Sequence, residues 1–237
     1  MYSFWLLVII FFFYSVVGYV VEVTSCSIHN KKLTLSRGYL IGPYIPIFGF
    51  GGLFMTTMLG RYQNDVLSLF INSMFYCCLL EYLTSLILEK IFKLRWWDYS
   101  NKRFNINGRI CLENGILFGI AGVILVEFFH PILMYVLYSF SNNTIMVLGI
   151  VFLTIILSDF CLSTFTISKL KLDTKKYMNM DSTEIIRDEL MKSLQRYRFF
   201  YKRIFKAFPS IKFNKNITSL RDFYEEQKKL LFKNKSN

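Results

Sequence analysis

The sequence predicts an all-α polytopic membrane protein with about five transmembrane helices, an outside N-terminus and a basic amphipathic helical tail in the cytoplasm. Three observations predict it. Of 237 residues, 54% are apolar, 18% aromatic and only 19% charged, more apolar surface than a soluble core of this size hides from water. Five stretches approach the ~20 apolar residues that a helix needs to cross a ~30 Å hydrocarbon core. The net charge of +12 is also unevenly placed: residues 1–168 hold 10 Lys/Arg and 8 Asp/Glu, residues 169–237 hold 18 and 8. An apolar transmembrane domain, 1–168, is therefore followed by a basic tail, 169–237. Disorder of the whole chain is excluded by its hydrophobicity.

The first span, about residues 2–24, has no basic leader and no small-residue cleavage site, so it reads as a retained helix rather than a signal peptide. The second, about 43–60, is short and broken by glycines. The third, 66–92, is overlong at ~40 Å and must tilt or protrude. The fourth and fifth run about 115–138 and 144–168. Orientation follows from the loop cations. With five spans, the first loop (Lys31, Lys32, Arg37), the third loop (Lys90 to Arg109) and the tail share a side and collect 27 of the 28 Lys/Arg; Arg61 stays opposite. The basic side is the cytoplasm, giving a multi-pass protein of the cell membrane. The wealth of Phe, Ile, Lys and Asn suggests a bacterial, AT-rich genome.

Between the first loop and the second span runs Arg37-Gly-Tyr-Leu-Ile-Gly42-Pro43-Tyr-Ile-Pro46-Ile-Phe-Gly49-Phe-Gly51. Two prolines three apart forbid a regular helix start, and the glycines permit close backbone approach. Freed backbone groups in a membrane must face protein or a wet cavity. The segment is either a broken helix lining a pathway or a tightly packed helix with prolines in its first turn.

An ionisable side chain inside a span costs at least ~2.5–3.5 kcal/mol at the helix centre, so each needs a reason. Glu22, Glu89 and Glu113 fall near cytoplasmic ends, where they can reach water or pair with Arg37, Arg95 or Arg109. Counted from the cytoplasmic ends near Phe92 and Ser168, Glu81 and Asp159 lie ~16 and ~14 Å deep. Ser73, Cys77, Glu81, Ser85 and Glu89 recur every four residues on one helical face. Glu81 and Asp159 are thus candidates for a proton, cation or substrate site, with polar packing between helices as the alternative. Glu127 and His130, at i and i+3, can touch each other. The loop Arg95-Trp-Trp-Asp98-Tyr-Ser and Phe104-Asn105-Ile-Asn-Gly-Arg109 has the aromatic and basic composition of the headgroup layer. Asp98, Asn105 and Arg109 are placed there to form a hydrogen-bonded lid or docking surface.

In the tail, Leu190, Leu194, Tyr197, Tyr201, Ile204 and Phe208 follow in steps of four and three between basic residues, and a second helix is expected over 220–232. Such helices fit an anionic inner leaflet or a partner helix, and lipid is the nearer anion than nucleic acid, which is not expected as a partner. The five cysteines form no CxxC pair and read as buried thiols. No catalytic constellation, metal cluster or cofactor motif is present, which argues against an enzyme.

Gly18-Tyr-Val-Val-Glu22, the Arg37–Gly51 string, Glu81-Tyr-Leu-Thr-Ser85 with Glu89, and Trp96-Trp-Asp-Tyr-Ser100 continuing to Leu112 together resemble the CmpB-like family of putative ABC-transporter type IV membrane proteins. Tyr19 stands where that family is expected to carry Trp. The resemblance covers roughly residues 1–135 and leaves out the tail. It implies a permease-like transport component. The sequence contains no Gly-Lys dipeptide and so no phosphate-binding loop; an ATPase must then be a separate subunit, and the chain is expected to dimerise. The alternatives from the residues alone are a scaffold or regulatory protein that recruits a partner through its tail, and an inner-leaflet enzyme using Glu89, Asp98, Arg109 and Glu113.

Overall fold

The computed structural model describes residues 3–29, 31–33, 35, 38–92 and 95–178. Helix α1 (Phe4–His29) is a proline-free apolar run whose first turn is capped by Ser3, with the Leu6 amide 3.3 Å from its Oγ. Helix α2 (Pro46–Met58) begins where the sequence forces it to. Pro46 supplies the fixed φ of a first helical position, and Ile45 before it is extended. A 3-10 turn (Gly60–Tyr62) and Asn64, in the left-handed region at φ 75°, lead into α3 (Val66–Phe92). Asp65 caps α3, its Oδ1 3.1 Å from the Ser68 amide.

A two-stranded hairpin follows, β1 (Asn105–Ile106) antiparallel to β2 (Ile110–Cys111). Helix α4 (Leu112–Ile124) leads through a π-helical turn (Leu125–Phe129) into α5 (His130–Tyr138), and α6 (Asn142–Met178) ends the described chain. The π turn has a local cause. Pro131 has no amide to give and its ring would crowd the carbonyl four residues back, at Glu127; widening the turn there relieves both.

Among the described residues, four helical stretches are long and apolar enough to cross a membrane: Phe4–Ile28, Val66–Phe92, Leu112–Tyr138 and Asn142–Lys169, with mean hydropathies of 2.5, 1.6, 2.2 and 2.6. The expected second span is corrected. Its helix has 13 residues, ~20 Å against a ~30 Å core, because the prolines postpone its start to residue 46. The hairpin is a second departure from the all-α expectation. The proposed tail helices lie in 179–237, outside the described residues.

The chain divides into two compact units. The first comprises residues 1–84 and 99–161; the second, among the described residues, 85–98 (93 and 94 excepted) and 162–178. In the first unit two apolar clusters set the packing. Leu6, Ile9, Ile10 and Tyr14 of α1 meet Met134 and Leu137 of α5 and Ile145 of α6. Met55 and Leu59 meet Leu69 and Cys77 of α3 and Val126 of the π turn. Helices α1 and α2 run antiparallel in close contact: a Cβ on Gly49 would strike Ser15 and Phe11, and one on Gly18 would strike Phe48. In the second unit the Phe92 and Trp96 rings meet edge to face at 6.0 Å. The remaining faces of the long helices carry exposed Val, Ile, Leu and Phe, which cost nothing against lipid tails.

Candidate functional site

Two carboxyl groups organise the first unit. Asp159 on α6 is buried, and its carboxylate gathers three donors from the segment preceding α2. The Ile41 amide donates to Oδ1 at 2.9 Å, the Gly42 amide to Oδ2 at 2.7 Å, and the Tyr44 hydroxyl to Oδ2 at 2.6 Å. Leu40, Tyr44 and Ile45 are buried beside it, and the Ile45 amide donates to the Ser15 carbonyl of α1 at 2.9 Å. The segment that Pro43 and Pro46 keep out of a helix therefore has its amides satisfied by a side chain 115 or more residues away. A Cβ on Gly42 would strike the Tyr44 ring, so the glycine is needed for the tyrosine to reach the carboxylate. Charge-assisted bonds of this kind are the strong ones, and here they close a chain break inside the bundle.

Glu81 on α3 is the second carboxyl, 8% exposed. The Tyr99 hydroxyl donates to Oε1 at 3.1 Å, while Oε2 is buried with no hydrogen-bond partner. Burial and the adjacent Glu81 carboxylate push the Tyr99 phenol up, so it stays a donor throughout the physiological range. Glu22 of α1 acts on Glu81 electrostatically. One turn of contacts away, the Tyr82 hydroxyl accepts from Asn107 Nδ2 at 3.0 Å, and the Arg109 guanidinium lies 5.8 Å from the Tyr82 ring centre. These contacts put Glu81 level with the hairpin and the first turn of α4.

A family model described as Putative ABC-transporter type IV matches residues 9–164. The chain belongs to that family. No curated protein and no solved structure matches it. The match takes in α1 through most of α6, and with the four long apolar helices it makes this a multi-pass membrane protein of the type IV family.

The other residues singled out from the sequence fall into place around these two centres. Ser73, Cys77, Glu81 and Ser85 are all buried, so the four-residue stripe is one inward face of α3. Glu113 pairs with Lys102 at 2.8 Å, not with Arg109, and raises the ammonium's affinity for its proton. Arg95 pairs with Asp98 at a loose 3.8 Å within the second unit. Asn105 braces the hairpin: its Nδ2 donates to the Lys102 and Ser100 carbonyls, and its Oδ1 accepts the Gly108 amide at 2.9 Å. Glu22 accepts from Cys26 Sγ at 3.4 Å. Glu89 is half-buried on α3, and Arg37 lies outside the described residues. Gly51 has only ordinary contacts where a Cβ would go, unlike Gly49.

Glu127 and His130 go to separate partners. Glu127 accepts the Asn64 amide at 3.0 Å, and the Tyr14 hydroxyl meets His130 Nδ1 at 3.0 Å across 116 residues. Glu127 lies within the π turn and His130 directly after it. Of the cysteines, Cys77 and Cys111 are buried, while Cys161 is exposed, against expectation. Tyr19 reaches the Leu35 carbonyl with its hydroxyl at 2.6 Å, a use for the oxygen that a Trp there would lack. Among the described residues no group of His, Cys, Asp and Glu is arranged to hold a metal. Tyr44 and Tyr99, which complete the two carboxyl centres, were not selected from the sequence; each sits in a motif string where a tyrosine reads as one more aromatic.

Proposed function

We propose that the protein is the permease-like membrane subunit of a transporter that works with a separate ATPase. The observation that carries this reading is the non-helical segment 38–45, with Leu40, Tyr44 and Ile45 buried, in an apolar bundle of this family. Irregular backbone at membrane depth is tolerated where it packs in protein or lines a cavity, and broken helices of this kind form substrate sites in transporters. The absence of a phosphate-binding loop from the sequence assigns ATP hydrolysis to another polypeptide.

The lysine and arginine distribution supports a cytoplasmic tail and a cytoplasmic 93–111 loop. This holds whether or not α2 crosses the bilayer, because α3 to α6 fix those two on one side. The side of the N-terminus depends on α2: with segment 38–45 completing the crossing, it is outside. In this reading the tail binds anionic inner-leaflet lipid, and two copies of the chain complete the pathway.

Isolation of the full-length chain from its native membrane in mild detergent tests the proposal. An ATPase retained with or without residues 169–237 supports it. A tail-dependent partner without nucleotide hydrolysis, together with a dispensable Glu81, replaces it with the scaffold reading.

A further inference from the structure

Glu81 combines three properties that packing alone does not explain. It is more than nine-tenths buried, one of its carboxyl oxygens has no donor, and neither ion pair among the described residues involves it. A buried carboxylate oxygen left without a donor carries a desolvation cost that a bound cation or a proton removes.

The surroundings decide between the two. The groups that face Glu81 are the Tyr99 hydroxyl from the hairpin loop, the Glu22 carboxylate from α1, and Cys77 and Cys78 on its own helix. From α4, Asn114 reaches Tyr99 instead. The hydroxyl spends its hydrogen on Oε1. A hard metal cation needs about six oxygen ligands, and no arrangement of metal-binding side chains exists here among the described residues. A proton needs one oxygen, and Oε2 is that oxygen.

We propose that Glu81 is a proton-binding site: Oε2 takes up one proton from water at the hairpin end of the bundle while Tyr99 continues to donate to Oε1. One O–H bond forms, the carboxylate becomes a neutral acid, and no other bond changes. The Tyr99 hydroxyl donates to Oε1 in both states, so the pair stays bonded through the cycle. Its strength does not stay constant. The bond is charge-assisted with the carboxylate and an ordinary neutral one with the acid. Proton uptake therefore loosens the hold of α3 on the loop whose Tyr99 amide donates to the Gly108 carbonyl at 2.8 Å. The site deepens the transport reading by naming a proton as the ligand that Glu81 senses, and it does not depend on an ATPase. A missing ATPase removes the transporter and leaves the proton site; a missing acid does the reverse.

The test is infrared difference spectroscopy of full-length protein in lipid nanodiscs, with carbon-13 glutamate labelling. The wild type is expected to show a label-sensitive protonated carboxyl band that disappears reversibly as pH is raised between about 5 and about 9, a range within which buried Glu residues titrate. Glu81→Gln removes the band. Tyr99→Phe keeps it and moves it to higher frequency, because the carbonyl oxygen loses its donor. In parallel, exchange of the Tyr99 amide accelerates about tenfold in the protonated state, the difference between a charged and a neutral hydrogen bond. A wild type with no label-sensitive acid band at any pH overturns the proposal without recourse to a variant. So does a band that survives Glu81→Gln, or one that Tyr99→Phe leaves unshifted.

Discussion

Asp159 holds the Gly42 amide at 2.7 Å across 117 residues of sequence. The contact ties the sixth helix to the break ahead of the second. With the Ile41 amide and the Tyr44 hydroxyl it makes a three-donor cradle. The carboxylate is structurally committed, in contrast to Glu81, which keeps one oxygen without a donor.

Asp159→Asn removes the charge and one acceptor oxygen and leaves buried donors unsatisfied, at about 1–3 kcal/mol each. Membrane abundance and Tm should fall, and a cysteine placed at Leu40, now fully buried, should become reactive to thiol reagents. Normal abundance with lost activity would instead make Asp159 a functional acid.

Gly49→Ala should destabilise the bundle by about 1–3 kcal/mol through overpacking against α1, while Gly51→Ala, two residues on, should be silent. Thermal unfolding of the two purified variants in one detergent distinguishes them. Equal effects would mean that α2 does not pack on α1 through this face.

Much of this was legible beforehand. Long apolar runs such as 66–92 announce themselves, because each span must satisfy its own backbone hydrogen bonds and hide nothing from lipid. The prolines signalled the break at 43–46, but not what fills it: a distant aspartate carries no local pattern that pairs it with Gly42. The hairpin was missed although its signal was present. Asn107-Gly108 opens the three-residue connection 107–109 between Ile106 and Ile110, a turn-forming pair whose residues both adopt positive φ, 54° and 64°.

The cap of α3 should be sensitive to acid. The Ser68 hydroxyl and amide hold the Asp65 carboxyl below its ordinary value. A carboxyl depressed in the folded state adds stability that is present above its unfolded value of about 4 and lost as pH falls through the folded one. Exchange of the Ser68 amide should therefore accelerate below about pH 4 relative to its intrinsic rate, and Asp65→Asn should remove that dependence. A Ser68 amide that is indifferent to acid contradicts the cap.

Tyr14 and His130 should be coupled. Phe at position 14 and Gln at position 130, made singly and together, should show an interaction energy of about 0.5–3 kcal/mol in unfolding experiments. Additive effects would mean that the 3.0 Å contact contributes nothing to holding α1 against α5.

The central claim is that this chain is the membrane half of an ATP-driven transporter, and ATP hydrolysis by the isolated complex tests it most directly. Full-length protein taken from its native membrane in mild detergent or native nanodiscs should co-elute in fixed ratio with a second polypeptide bearing a GxxxxGK[ST] loop. The peak should hydrolyse ATP, and a Lys→Ala change in that loop should abolish the hydrolysis. A monodisperse, stable chain that elutes under both conditions with no nucleotide-hydrolysing partner contradicts the claim.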